Sequence, residues 1–117
     1  MPKESSPIQI GGHDSIAPVS IGNGGLVIIA GPCVIESQER TERIAHGLQT
    51  VCARVGLPFI FKASFDKANR TSVESFRGPG LREGLSCLET IRRERKMCVT
   101  TDVHAVHQVN PVASVVD

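Results

Sequence analysis

LVIIAGPCVIES, residues 26–37, is the stretch on which the fold turns. Its opening run is apolar without alternation, as in a strand buried on both faces, and such strands belong to parallel sheets covered by helices. The run breaks at Gly31 and Pro32, Cys33 follows at its carboxyl end, and Ser37 is placed to cap a helix. Beyond it, Ile44, Leu48, Val51 and Val55 recur at helical spacing until Gly56 and Pro58 end the segment. LPFIFKAS at 57–64 predicts a second strand. Gly78, Pro79 and Gly80 then lead into a helix carrying Leu81, Leu85, Leu88 and Ile91. Residues 97–101 predict a third strand, 105–110 a short helical turn stopped near Pro111, and Val112 onward a fourth strand. Alternation of this kind is α/β, with parallel strands joined by right-handed crossovers in either a doubly wound sheet or the N-terminal portion of a (β/α)₈ TIM barrel.

Toward the N-terminus, residues 1–25 are rich in Gly, Ser, Pro and Asn around the alternating pairs Ile8, Ile10 and Val19, Ile21. They read as a leader or small hairpin ahead of the first three to four βα units at 26–117. GNGG at 22–25 precedes a strand instead of following one, so it is a turn and not a phosphate loop.

Composition narrows the function. The 117 residues are 40% hydrophobic and 21% charged, which fits one globular unit. Thirteen Lys plus Arg against twelve Asp plus Glu give a net charge of +1, so a dedicated nucleic-acid binder is disfavoured and any basic site is local. Trp and Tyr are absent, which leaves no stacking platform for bases. No run approaches the ~20 apolar residues of a membrane span, and the N-terminus lacks the apolar stretch of a signal peptide, so the expected compartment is the cytoplasm. Four cysteines without a CxxC pair are expected to be reduced thiols.

Polar side chains at the carboxyl ends of parallel strands require a reason, because both strand faces are normally covered. By parity, Ile60, Lys62 and Ser64 share one face of the second strand, opposite Phe59, Phe61 and Ala63. Thr100, Asp102 and His104 share a face after the third, and Cys33 ends the first. The segment KASFDKANRTS at 62–72 gathers Lys62, Lys67 and Arg70 with Ser64, Asn69, Thr71 and Ser72. A planar fork, two point charges, hydroxyls and an amide suit phosphate or carboxylate, although a solvated loop partly neutralised by Asp66 and Glu74 has the same composition. Cys33 is open to three readings: metal ligand, nucleophile or small buried hydrophobe. Cys52, Cys87 and Cys98 fall in periodic segments and read as core. His104 and His107 form an HxxH pair, a weak metal signal; His13 reads as a leader residue and His46 as an exposed helical one.

The strings IAGPCVIES at 29–37, FKASFDKANRTS at 61–72, SFRGPGL at 75–81 and TDVH at 101–104 closely resemble the 3-deoxy-D-manno-octulosonate 8-phosphate synthase family in order and spacing. The resemblance covers nearly the whole chain after the leader. KANR after a strand lysine is its most specific element, since the related synthases of the aromatic pathway have a KPRT-like motif there. It implies a (β/α)₈ barrel, usually a homotetramer, that condenses phosphoenolpyruvate with arabinose 5-phosphate and releases inorganic phosphate for lipopolysaccharide synthesis. On matching positions it implies that Lys62, Ser64 and Lys67 hold phosphoenolpyruvate, that Asn69, Arg70 and Thr71 hold arabinose 5-phosphate, and that Asp102 and His104 line the reacting centre. Cys33 matches the metal-dependent branch, where the metal-independent one has Asn, and the resemblance implies a divalent Zn, Fe, Mn or Co ion with further His, Glu and Asp ligands outside this chain.

A complete barrel needs about 250 residues, so the chain is expected to hold about three and a half of eight strands and to be inactive by itself. The alternative is a non-catalytic half-barrel that binds a phosphosugar or assembles with other subunits. Two positions depart from the family pattern: Ala105 stands where Glu is common, which puts the loop after His104 in question, and Lys96 stands where a helix-ending Gly is frequent.

Overall fold

A computed structural model describes residues 5–68, 72, 74 and 76–117. Two short strands, β1 (Ile8–Ile10) and β2 (Val19–Ile21), pair antiparallel with Ile8 opposite Ile21. The turn after them is built on Gly22 and Gly24 at positive φ, with the Gly25 N–H donating to Asn23 Oδ1 at 3.0 Å. The main sheet is parallel, in the order β3 (Ile28–Ala30), β4 (Phe59–Lys62), β5 (Cys98–Thr100). Ile29 stands level with Ile60, and Ile60 with Cys98.

Helix α1 (Gln38–Val55) links β3 to β4, and α2 (Leu81–Arg95) links β4 to β5. Ser37 caps α1 in extended conformation, its Oγ accepting the Arg40 N–H at 3.1 Å, and Gly56 ends the helix at φ 73°. At the end of α2 the left-handed position falls to Lys96, at φ 52°, where a side chain is tolerated at a cost that glycine avoids. Both helices pack on one sheet face: Ala45 of α1 and Cys87, Leu88 and Ile91 of α2 bury Phe61, Ala63 and Val99. Each large side chain removed from water there contributes roughly 1.5–3 kcal/mol. Consecutive strand order with right-handed crossovers places both helices on one face, as it does in either expected architecture.

The other face is covered at its lower end by the hairpin, whose Ile16 and Val19 close over Ile60 and Cys98. The Cys98 thiol donates to the Ile10 and Ala17 carbonyls. Arg92 of α2 completes the attachment: it holds Asp117 through both carboxylate oxygens at 2.8 to 3.1 Å and Asp14 of the hairpin loop at 2.9 Å.

Three expectations need correction. The first strand is not buried on both faces: Ile29 is 53% exposed, because β3 is an edge strand and the hairpin, which closes over Ile60 and Cys98, does not extend sideways across Ile29. Pro111 does not stop the helical turn, and Val112 does not open a strand. A 3₁₀ turn at Val106–Gln108 runs into α3 (Val109–Ala113), in whose first turn proline is admissible because its missing N–H has no intrahelical acceptor there. Val115 and Val116 then pack against Phe65, Leu85 and Val112, and the Asp117 N–H reaches the Val99 carbonyl at 3.0 Å. No helix among the described residues is long and apolar enough to cross a membrane.

Candidate functional site

The carboxyl ends of the three parallel strands lie side by side, and the register decides which side chains meet. Lys62 stands level with Thr100 on the face opposite the helices, one pleat above the apolar pair Ile60 and Cys98. Its side chain is exposed, whereas neighbouring Ala63 and Ser64 are buried. Gly31 makes the close approach of β3 possible: a Cβ there would lie 1.6 Å from the Lys62 carbonyl oxygen.

Ser64 and Asp102 are drawn together from strands separated by an entire helix. The Ser64 hydroxyl donates to Asp102 Oδ1 at 2.5 Å, and Asp102 Oδ2 faces His104 Nε2 at 3.6 Å. Ser64 is fixed from its other side, since its carbonyl accepts the Ile35 N–H at 2.9 Å and its backbone bridges to Val34. The imidazole of His104 lies edge-on to the buried Phe65 ring, with centroids 5.6 Å apart. The loop after His104 closes despite Ala105, because Gln108 Oε1 accepts the His104 N–H at 2.7 Å and the Ala105 N–H at 3.2 Å.

Lys67 and Cys33 border a cleft of about 210 Å³, together with Pro32, Val34, Glu36, Arg40, Thr41 and Ile44. Cys33 is exposed and free, unlike Cys52, Cys87 and Cys98, which are buried as expected of core thiols. Burial pushes the Cys87 and Cys98 thiols up from their ordinary range. His46 is exposed on α1 as expected, its Nδ1 3.1 Å from the Arg95 guanidinium.

The predicted residues are therefore brought together in part. Lys62, Ser64, Asp102 and His104 occupy one end of the sheet, and Lys67 shares a cleft with Cys33. Asn69, Arg70 and Thr71 lie outside the described residues. Among the described residues, no three His, Cys, Asp or Glu side chains gather closely enough to hold a metal ion, so the donors present do not by themselves fit one, and His104 with His107 does not supply a centre.

Sequence reasoning missed three contributors. Arg77 grips Asp66 with both ends of its guanidinium, at 2.7 and 3.2 Å, so Asp66 answers to Arg77 and is not simply a diluent of the basic loop. Phe65 and Gln108 fix His104 from two sides. The pair Asp66 and Arg77 was visible only as opposite charges eleven residues apart. Nothing in the sequence pointed to Gln108.

The family model described as the DAHP synthetase I family matches residues 5–117. The chain is 52% identical over 104 residues to a 2-dehydro-3-deoxyphosphooctonate aldolase of Trichlorobacter lovleyi, covering 88% of this chain and 38% of that protein. It is 50% identical over 108 residues to the like-named protein of Geotalea daltonii, covering 87% and 40%, and 48% identical over 110 residues to that of Fusobacterium nucleatum, covering 89% and 40%. It thus spans about two fifths of the length of these curated relatives.

Proposed function

Because the chain belongs to the DAHP synthetase I family, we propose that it forms the amino-terminal part of a (β/α)₈ barrel that condenses phosphoenolpyruvate with arabinose 5-phosphate, releasing inorganic phosphate in the cytoplasm. In this reading residues 1–25 are a hairpin leader, residues 26–117 are the first three βα units and the approach to a fourth, and the whole protein is a homotetramer. The likeness to 2-dehydro-3-deoxyphosphooctonate aldolases supports the choice of reaction, and the family match over residues 5–117 supports the barrel. The observation that carries the site is the chain of contacts from Ser64 through Asp102 to His104, set beside Lys62 at the carboxyl ends of adjacent parallel strands.

Each residue has work that suits its chemistry. Two polyanions must be brought together against their repulsion, which calls for fixed cations and oriented donors. Lys62, on the face opposite the helices, supplies a charge for the phosphoenolpyruvate carboxylate or phosphate, and Ser64 and Lys67 complete that subsite. Asn69, Arg70 and Thr71 hold the sugar phosphate. Asp102, oriented by the Ser64 hydroxyl, holds the imidazole of His104, which is placed to move a proton at the carbonyl oxygen of arabinose 5-phosphate as the carbon–carbon bond forms. Cys33 is offered as one ligand of a divalent Zn, Fe, Mn or Co ion whose other ligands come from outside the chain. When bound, such an ion would supply Lewis acidity.

The test completes the barrel. Residues 1–117 are joined to the remaining part of the Trichlorobacter lovleyi relative, and phosphate release from phosphoenolpyruvate is followed with and without arabinose 5-phosphate. The reading expects release that depends on the sugar phosphate and falls at least about a hundredfold in Lys62→Ala, the scale on which charge clamps act in catalysis. Release that ignores the sugar, or a Lys62→Ala protein as active as its parent, sinks it. Cys33→Ser is expected to lower the stoichiometry of bound metal measured by elemental analysis, and an unchanged metal content would remove Cys33 from the ligand set.

A further inference from the structure

Residues 65–67 and 77–80 are fastened to each other at three points. The Phe65 carbonyl accepts the Gly80 N–H at 3.0 Å, the Lys67 N–H donates to the Arg77 carbonyl at 2.6 Å, and the Arg77 guanidinium takes both oxygens of Asp66. The approach is close enough to require glycine: a Cβ on Gly78, whose φ is 123°, would come within 2.4 Å of the Phe65 carbonyl oxygen. Lys67 therefore leaves a clasped stem, with its own amide and its neighbour's carboxylate both held by the same arginine. The Arg77 side chain is 60% exposed, and an ion pair with one partner mostly in water contributes little to the stability of a fold. What the bidentate fork does supply is direction, since two parallel bonds fix the plane of a carboxylate where one would leave it free to turn.

We propose that the Asp66–Arg77 pair is a positioning device that sets Lys67 toward its anionic substrate, so that its loss is felt in substrate affinity and not in folding. The proposal rests on the reading above, in which Lys67 holds phosphoenolpyruvate. Arg77 is a positioning residue: it acts through the backbone of Asp66 and Lys67.

The experiment uses the completed barrel described above and compares the parent with Arg77→Ala, Arg77→Lys, Asp66→Ala and the double alanine variant. Arg77→Ala is expected to raise the KM for phosphoenolpyruvate about tenfold, a modest share of what misplacement of a binding group can cost, with kcat within about threefold of the parent. Arg77→Lys, which keeps the charge but offers a single contact, is expected to recover part of the loss. The double variant is expected to be no worse than the worse single one, because the two residues act as a unit. Melting temperatures should agree within about 2 °C. An unchanged KM for phosphoenolpyruvate, an effect confined to the KM for arabinose 5-phosphate, or a loss that tracks a fall in melting temperature without recovery in Arg77→Lys would each overturn the proposal. A parent barrel without sugar-dependent phosphate release would instead overturn the functional reading on which it stands.

Discussion

Replacing Arg92 by Met keeps the aliphatic stem and removes the charge from a nearly buried ion pair. The Asp117 side chain is 2% exposed and the Arg92 side chain 15%. Stripping one partner from such a pair strands the other in a low-dielectric site, at about 3–5 kcal/mol. Asp117 would keep one donor, the Val99 N–H at 3.0 Å, which argues for the lower end. The contact to Asp14, whose side chain is 73% exposed, adds less than about 1 kcal/mol. A loss of roughly 3 kcal/mol in a barrel of ordinary size lowers the melting temperature by about 6–12 °C. The assay is a thermal melt of the completed barrel at neutral pH. Adding Asp117→Asn should recover much of the loss, since the stranded charge is then gone while an oxygen remains for Val99. An Arg92→Met protein that melts within about 2 °C of its parent would show that the pair is not holding the hairpin, α2 and β5 together, and that the reasoning from burial is wrong.

Gly31→Ala should prevent formation of an ordered sheet, read as loss of soluble protein, because the new methyl would meet main chain and not a movable side chain; a soluble variant of parental stability would refute the close approach. Lys96→Gly should raise stability by about 0.5–1 kcal/mol in a melt, the relief of a left-handed side-chain position less the entropy that glycine adds to the unfolded chain, and a fall would contradict the assignment. In chelator-treated protein at neutral pH, iodoacetamide should add one adduct within residues 1–117, at Cys33, by peptide mass mapping, with the buried Cys52, Cys87 and Cys98 modified only after denaturation; native adducts at those three would count against the packing. Because burial raises the folded values of Cys87 and Cys98, the unfolded chain sheds those protons first. Their contribution is fully present below the unfolded thiol value of about 8.5 and lost as pH rises through the folded values, so melts should fall on the alkaline side, and a flat profile above pH 9 would contradict it.

Periodicity made much of this legible. The two-residue alternation that sets Lys62 and Ser64 apart from Phe61 and Ala63 is a local property, and so are the caps at Ser37 and Gly56, which is why both are legible in the sequence alone. The exposure of Ile29 was not legible, because burial of a strand depends on neighbours that the strand's own residues do not encode. The stretch at 112–117 misled for a related reason: six residues, three of them valine, satisfy a strand pattern and the end of a helix equally well, and the packing of Val112, Val115 and Val116 onto Phe65 and Leu85 decided between them. Charged residues hid the rest. Nothing local marks Arg92 or Arg77 as paired, and only tertiary structure supplies Asp117 and Asp66 as partners.

The hairpin has a consequence for the order in which the molecule assembles. Its ties to the rest of the chain bridge long stretches of sequence, 78 residues between Asp14 and Arg92 and 88 between Ile10 and Cys98, whereas the bond joining Ser64 to Asp102 spans 38. Closing a longer loop costs more entropy, and the hairpin can dock only on a surface that β4 and β5 have already made. It is accordingly expected to dock late, after the rate-limiting barrier. Substitutions at Asp14 or Ile16 should hasten unfolding and leave the folding rate nearly untouched, while truncations of Phe61 or Val99, inside the strand–helix layer, should slow folding itself.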